Sequence, residues 1–102
     1  MKPDRSEAEI AFAAYSEVVA TLIRYKDRSY GGAWQRQGYM GNLARIMSKT
    51  ERLKNLLWSD NDPFSKTSEL EDEETVMDNL KDLMALVAFC AANIEEGNRW
   101  GR

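Results

Sequence analysis

The stretch EDEETVMDNLKDLMALVAFCAANIEEG, residues 71–97, decides the fold class of this chain. Its apolar residues recur at spacings of three and four, which places them along one side of a helix. These residues are Val76, Met77, Leu80, Leu83, Met84, Val87, Ala91 and Ile94. Acidic residues crowd its first turn, where the helix dipole favours anions, and Gly97 is a typical C-terminal stop. The pattern predicts a helix over residues 71–96.

Two further segments with the same period lie before it. Ser6 and Glu9 form a capping box that starts a helix predicted over residues 6–28. A glycine-containing break over residues 29–38 follows, and the next helix is predicted over residues 39–58. A polar loop precedes the third helix, and the tail after Gly97 is predicted to be loose. No strand pattern competes, so residues 1–102 are predicted to form one all-α domain, a helical bundle.

Composition excludes several classes of function. The formal net charge of -3 gives no bulk attraction to nucleic acid or anionic lipid, so neither is expected as a partner. The chain has no histidine, which removes the usual zinc sites and the Ser-His-Asp triad. Its one cysteine, Cys90, lies in an apolar run and is predicted to be buried. The sequence shows neither a signal-peptide core nor a membrane-spanning run, so a cytoplasmic protein is expected.

Two charged stripes could carry chemistry, one on the second predicted helix and one on the third. They consist of Arg45, Lys49 and Arg52, and of Glu74, Asp78 and Asp82. The structural interpretation is that the helices pack side by side and the stripes form salt bridges or face water. The functional interpretation is that the carboxylates hold Mg²⁺ while the cations bind the phosphates of a nucleotide.

The glycine break carries two aromatic residues, Tyr30 and Trp34, on either side of Gly31 and Gly32. Their rings are suited to stacking on a nucleotide base, with the glycines allowing the backbone to approach a ligand. The alternative is that both rings close the end of the helical bundle. The spacing is not that of a Walker phosphate-binding loop.

An ordered set of motifs resembles one family. The motifs are YGGAW at residues 30–34, RIMSKTER at residues 45–52 and ETVMDNLKD at residues 74–82. In this order they resemble the phage and bacterial nucleotide-modification-associated domain, which is MazG-like. The resemblance covers about two-thirds of the chain.

The resemblance implies a phage-encoded, all-α nucleoside triphosphate pyrophosphohydrolase that acts on modified nucleotides in the host cytoplasm. It implies Mg²⁺ held by Glu74, Asp78 and Asp82, with Glu51 as a further ligand or water-orienting base. MazG enzymes carry a Glu-Glu-x-x-Glu motif where the second helix here offers only Glu51, and Ser48 replaces the family's aspartate. These departures keep open two alternatives, a non-catalytic nucleotide-binding module and an accessory protein that binds a partner.

The first predicted helix is apolar around much of its circumference. Its large apolar residues include Ile10, Phe12, Tyr15, Val19, Leu22 and Ile23. Two neighbouring helices cannot cover all of them, and a lone three-helix chain would leave several in water. The sequence therefore predicts a homodimer or homotetramer whose interface is largely this helix.

Overall fold

The chain folds into three helices in the computed structural model, which describes residues 5–25, 32–57 and 73–101. Helix α1 spans Glu7–Tyr25, α2 spans Ala33–Leu57 and α3 spans Glu73–Glu95. The described residues contain no strand, which confirms the all-α prediction. Parts of the predicted helix ends, residues 26–28, 58 and 71–72, lie outside the described residues.

Two predicted helix boundaries are confirmed by local geometry. At the start of α1 the Ser6 hydroxyl accepts a hydrogen bond from the Glu9 amide at 3.2 Å, as expected of an N-cap. After α3, Gly97 takes a left-handed φ of 68°, which suits glycine at the end of a helix.

The second helix begins six residues earlier than predicted, at Ala33. Residues 33–37, predicted to be irregular, already form helix, and α2 is interrupted only at Gly38, where φ is 66° and ψ is 176°. A single glycine absorbs the change of direction because it has no Cβ to clash in this region. The helix then resumes at Tyr39, the residue where the prediction placed its start.

Helices α2 and α3 run antiparallel and form the best-packed part of the molecule. Residues later in α2 contact residues earlier in α3. Tyr39 O accepts a hydrogen bond from Cys90 Sγ at 3.7 Å, whereas Lys49, ten residues later, contacts Asp82. Leu86 is buried between the helices, and Cys90 is buried as predicted. Helix α1 packs against α3 and contributes Val19 to the core.

The C-terminal tail is not loose, contrary to the prediction. Its backbone lies against the interruption in α2, where the amides of Tyr39 and Met40 donate to Asn98 O at 3.0 Å and Arg99 O at 3.1 Å. The Asn98 side chain donates to Gln35 O at 2.7 Å, the carbonyl that an unbroken helix would pair with Tyr39. The tail therefore satisfies backbone groups on both sides of the break.

Within the described ranges, no helix is both long enough and apolar enough to cross a membrane.

Candidate functional site

The two predicted charged stripes meet at one point. Lys49 Nζ lies 2.9 Å from Asp82 Oδ2, and about a quarter of each side chain is exposed. Lys49 follows Asn42 by seven residues and precedes Leu53 by four, so all three share the side of α2 that packs on α3. The structural interpretation of the stripes thus holds for this pair. We refer to the six residues of both stripes as the polar strip.

The other members of the polar strip flank this ion pair at the surface. Arg45 and Arg52 are exposed on α2, and Glu74 and Asp78 are exposed on α3. Among the described residues, neither arginine takes part in a salt bridge. The antiparallel register puts Arg52 near the level of Asp78 and puts Arg45 further along α3, towards Phe89. The strip is therefore an accessible surface with two exposed guanidinium groups.

Glu51 does not join the polar strip. It lies two residues from Lys49 on the same helix, which places it about 200° around the axis. Its side chain is exposed on the side of α2 that faces away from α3. The structure thus separates Glu51 from the three carboxylates of α3.

The carboxylates of the strip do not form a preassembled metal cage. In the part of the chain that the structure describes, no three Asp, Glu or Cys side chains are grouped closely enough to hold a metal ion. Asp78 and Asp82 are nevertheless one helical turn apart on one face of α3. Mg²⁺ usually needs only one or two protein carboxylates when phosphate oxygens and water complete its shell. This donor set fits Mg²⁺ that arrives with a phosphate ligand.

The predicted base-binding aromatics have different outcomes. Trp34 is half-buried and stacks on Phe89, with ring centroids 5.6 Å apart and an interplanar angle of 23°. This contact matches the alternative in which the ring closes the end of the bundle. Tyr30 lies outside the described residues.

Sequence reasoning missed a group of buried asparagines beside the break in α2. Asn42 and Asn93 are fully buried, and their amides lie 2.6 Å apart. Asn42 Nδ2 also donates to Trp34 O at 3.1 Å, and Asn98 is buried in the tail. Together with Gly38, these three residues form what we call the asparagine clasp. The sequence did contain a sign of them, because Asn42 and Asn93 occur at the same helical spacing as the apolar residues of α2 and α3.

A fourth buried asparagine lies next to the polar strip. Asn79 precedes Asp82 by three residues on α3 and donates from Nδ2 to Thr75 O at 2.8 Å. Its Oδ1 is buried and has no hydrogen-bond partner within the described residues. A buried carbonyl oxygen without a donor is unusual, because its desolvation is not offset.

Comparisons of the chain with protein-family models, with curated proteins and with solved structures gave no match. The MazG-like resemblance therefore stays a prediction that depends on the motifs alone.

Proposed function

We propose that the protein binds a nucleotide through its phosphates at the polar strip. The observation that carries this proposal is the pair of exposed guanidinium groups, Arg45 and Arg52, on either side of Lys49. Guanidinium groups bind phosphate oxygens in a two-pronged geometry, and such charge-assisted hydrogen bonds are stronger than neutral ones. Arg45 and Arg52 are seven residues apart, so the stripe extends for roughly 10 Å along α2. It offers successive contacts to a chain of phosphates.

Lys49 gives the strip a cation that is already positioned. Its ammonium group is held by Asp82 at 2.9 Å, and its partial burial reduces screening by solvent. A phosphate that approaches between Arg45 and Arg52 gains the attraction of this third cation. Asp82 then shares Lys49 with the phosphate, and the like charges of carboxylate and phosphate repel each other.

Mg²⁺ relieves that repulsion, and we propose that it accompanies the nucleotide. Asp78 and Asp82 would hold it, with Glu74 one turn further along the same face. When bound, the ion neutralises phosphate charge and orients the phosphate chain. The side chains of the strip supply the complementary contacts, with arginine on the phosphates and aspartate on the ion.

Isothermal titration calorimetry tests the binding proposal. Wild-type protein is titrated with nucleoside triphosphates, modified deoxynucleoside triphosphates and inorganic pyrophosphate, each with Mg²⁺ and with EDTA. We expect binding that weakens at least about 10-fold in the double variant Arg45→Gln/Arg52→Gln, because each charged hydrogen bond contributes about 1.5–3 kcal/mol. Arg24→Gln on α1 is the matched control and should bind as the wild type does. An absence of heat with every ligand would overturn the proposal.

A second candidate function is hydrolysis of a nucleoside triphosphate to a monophosphate and pyrophosphate. The observation that favours it is the alignment of Glu74, Asp78 and Asp82 at four-residue intervals along α3. Glu51 lies away from this face, so among the described residues the α3 carboxylates are the candidates for a water-orienting base. Pyrophosphate release is assayed with the same nucleotides and Mg²⁺. Release that disappears in Asp78→Asn supports hydrolysis, whereas binding without release leaves a non-catalytic nucleotide-binding module.

We further propose that the protein acts in the cytoplasm as a homodimer, or as a homotetramer built from two dimers. Large apolar side chains remain exposed on α1, among them Ile10, Phe12, Tyr15, Val18 and Tyr25. Each one left in water forfeits roughly 1.5–3 kcal/mol of burial. Light scattering coupled to size exclusion should give at least a dimer mass at micromolar concentration, and Leu22→Glu should lower it. A monomer mass would contradict this part of the proposal.

A further inference from the structure

An apolar groove runs between α1 and α3 on the side of α3 that faces away from α2. Its volume is about 760 Å³, and Phe12 and Ile23 line it from α1 while Met84 and Val87 line it from α3. Among the described residues that line it, Ser16 is the only one with a polar side chain and none is charged. A lining of this kind favours an apolar partner over a nucleotide, a nucleic acid or a charged peptide.

One wall of the groove continues along α3 as a heptad pattern. Apolar residues alternate at spacings of three and four, as at the a and d positions of a coiled coil. These residues are Met77, Leu80, Met84, Val87, Ala91 and Ile94, and we call them the α3 seam. The seam is largely uncovered, since Leu80 is 44% exposed, Val87 55% and Ile94 57%. A seam of this period is complementary to another helix with the same period.

We propose that the α3 seam of a second copy packs antiparallel on this seam, with the two α1 helices on its flanks. The inference rests on the proposed self-association and places its surface mainly on α3, with α1 at the flanks, whereas the sequence predicted an interface made largely of α1. The seam extends for roughly 26 Å, the length of a four-helix-bundle contact. A second copy fits because the surface carries both protruding side chains, such as Val87, and small ones, such as Ala91.

The exposed apolar side chains along the seam supply part of the area that a dimer contact needs. Taking roughly 150 Å² for a large side chain, the exposed fractions of Phe12, Met77, Leu80, Val87 and Ile94 amount to about 400 Å². This is about half of the ~800 Å² per partner of a standard interface. Partly exposed residues between them, such as Leu83 and Met84, add to this area.

Side-chain volume favours the antiparallel arrangement. In that arrangement each layer combines a larger side chain with a smaller one, or two of similar size. The pairs are Met77 with Ile94, Leu80 with Ala91, and Met84 with Val87. A parallel arrangement pairs each residue with itself, which places Ala91 against Ala91 and leaves a void in that layer. Voids lower stability because the atoms around them lose contacts.

Mass measurement on a matched pair of variants tests the surface. Val87→Lys places a charge in the seam, whereas Met47→Lys places one at a 68%-exposed apolar position on α2 outside it. Both sites are exposed within one chain, so both variants should fold. We expect Val87→Lys to raise the dimer Kd at least about 30-fold, as replacement of a central interface residue does. Met47→Lys should leave the Kd unchanged, and equal effects of the two would overturn the proposed surface.

Disulfide cross-linking tests the orientation in a Cys90→Ala background. Met84→Cys protein mixed with Val87→Cys protein should give a covalent dimer under oxidation, and neither alone should do so. Cross-linking of Val87→Cys with itself would show the parallel arrangement and overturn the proposal. A dimer that gives neither cross-link would overturn the seam as the interface. A monomeric wild type would overturn self-association itself, while calorimetry would still report separately on phosphate binding.

Discussion

The two sides of α3 are closed in different ways. Helix α2 covers the side of α3 that faces it. Buried asparagine side chains, the Lys49–Asp82 ion pair and the docked tail connect the two helices. The side that faces α1 is an open groove whose described lining residues are apolar apart from Ser16. The first side pairs most of its buried polar groups with other groups of the chain, although Asn42 Oδ1 and Asn79 Oδ1 have no partner among the described residues. The second has apolar surface that the described residues do not cover.

This difference separates the roles of the two sides. Hydrogen bonds are directional, so the asparagine clasp fixes one register between α2 and α3. Apolar contact is not directional, and it becomes favourable only when a partner excludes water. Buried apolar residues are few among the described residues, namely Val19, Ala85, Leu86 and Cys90. The net stability of a small domain is about 5–15 kcal/mol, so the uncovered groove is energetically significant.

The largest effect is expected at the clasp, from Gly38→Ala. A Cβ at this position would lie 2.5 Å from Gly101 N and 2.6 Å from Arg99 O, and φ is 66°. We expect a loss of about 2–4 kcal/mol in the free energy of unfolding, from left-handed strain together with displacement of the tail. Urea denaturation measures it.

Gly97→Ala is the matched control for this substitution. Its φ is 68°, yet a Cβ there meets nothing within 4 Å. The control should therefore show only the left-handed strain, about 1–2 kcal/mol. Equal losses in the two variants would mean that contact with the tail does not stabilise the fold.

A somewhat smaller effect is expected from Asn42→Ala. The change removes the side-chain amide that donates to Trp34 O at 3.1 Å and contacts the Asn93 amide. Trp34 O and the Asn93 amide then lose this hydrogen-bond partner. We expect a loss of about 1–3 kcal/mol. Thermal unfolding measures it against Thr50→Ala, an exposed position on the same helix. In a double-mutant cycle, additive effects of Asn42→Ala and Asn93→Ala would contradict coupling between the two amides.

The groove side should respond to protein concentration rather than to substitution alone. A tenfold increase in concentration should stabilise the wild-type dimer by about 1.4 kcal/mol, because association is linked to folding by mass action. Val87→Lys should abolish this dependence, whereas Gly38→Ala should keep it. Melting curves over a concentration series provide the measurement. A wild-type Tm that is independent of concentration would show that the groove has no partner in solution.

The smallest stability effect is expected from the ion pair of the polar strip. Lys49→Met removes a contact whose two side chains are 22% and 31% exposed, so solvent screens it. We expect a change of at most about 1 kcal/mol, which shrinks further in high salt. A loss of several kcal/mol in urea would instead assign Lys49 a mainly structural role.

The number and order of the helices could be predicted from the sequence because periodicity and caps are local signals, but the start of α2 at Ala33 was missed. Ser6 and Gly97 marked their boundaries correctly, and the position of Gly38 in the break was also correct. The docked tail could not be predicted, because its partners Tyr39 and Met40 are about 60 residues away in sequence. Long-range hydrogen bonds of this kind leave no periodic pattern.

Helical periodicity also made part of the polar strip predictable. Periodicity placed Arg45, Lys49 and Arg52 on one face of a helix, but it could not show that only Lys49 meets the acidic stripe. That contact depends on how α2 and α3 pack. The ring of Trp34 stacks on Phe89, a contact that the sequence could not show, and its role in binding a base stays a prediction.

A single titration tests most directly the claim that phosphates bind at the polar strip and not in the groove on the other side of α3. Amide chemical shifts of isotope-labelled protein are followed by NMR while Mg²⁺ and a nucleoside triphosphate are added. We expect shifts along the polar strip, at Lys49, Arg52, Asp78 and Asp82, with the seam residues Leu80 and Val87 unchanged. Shifts confined to the groove, or none at saturating ligand, would contradict this claim.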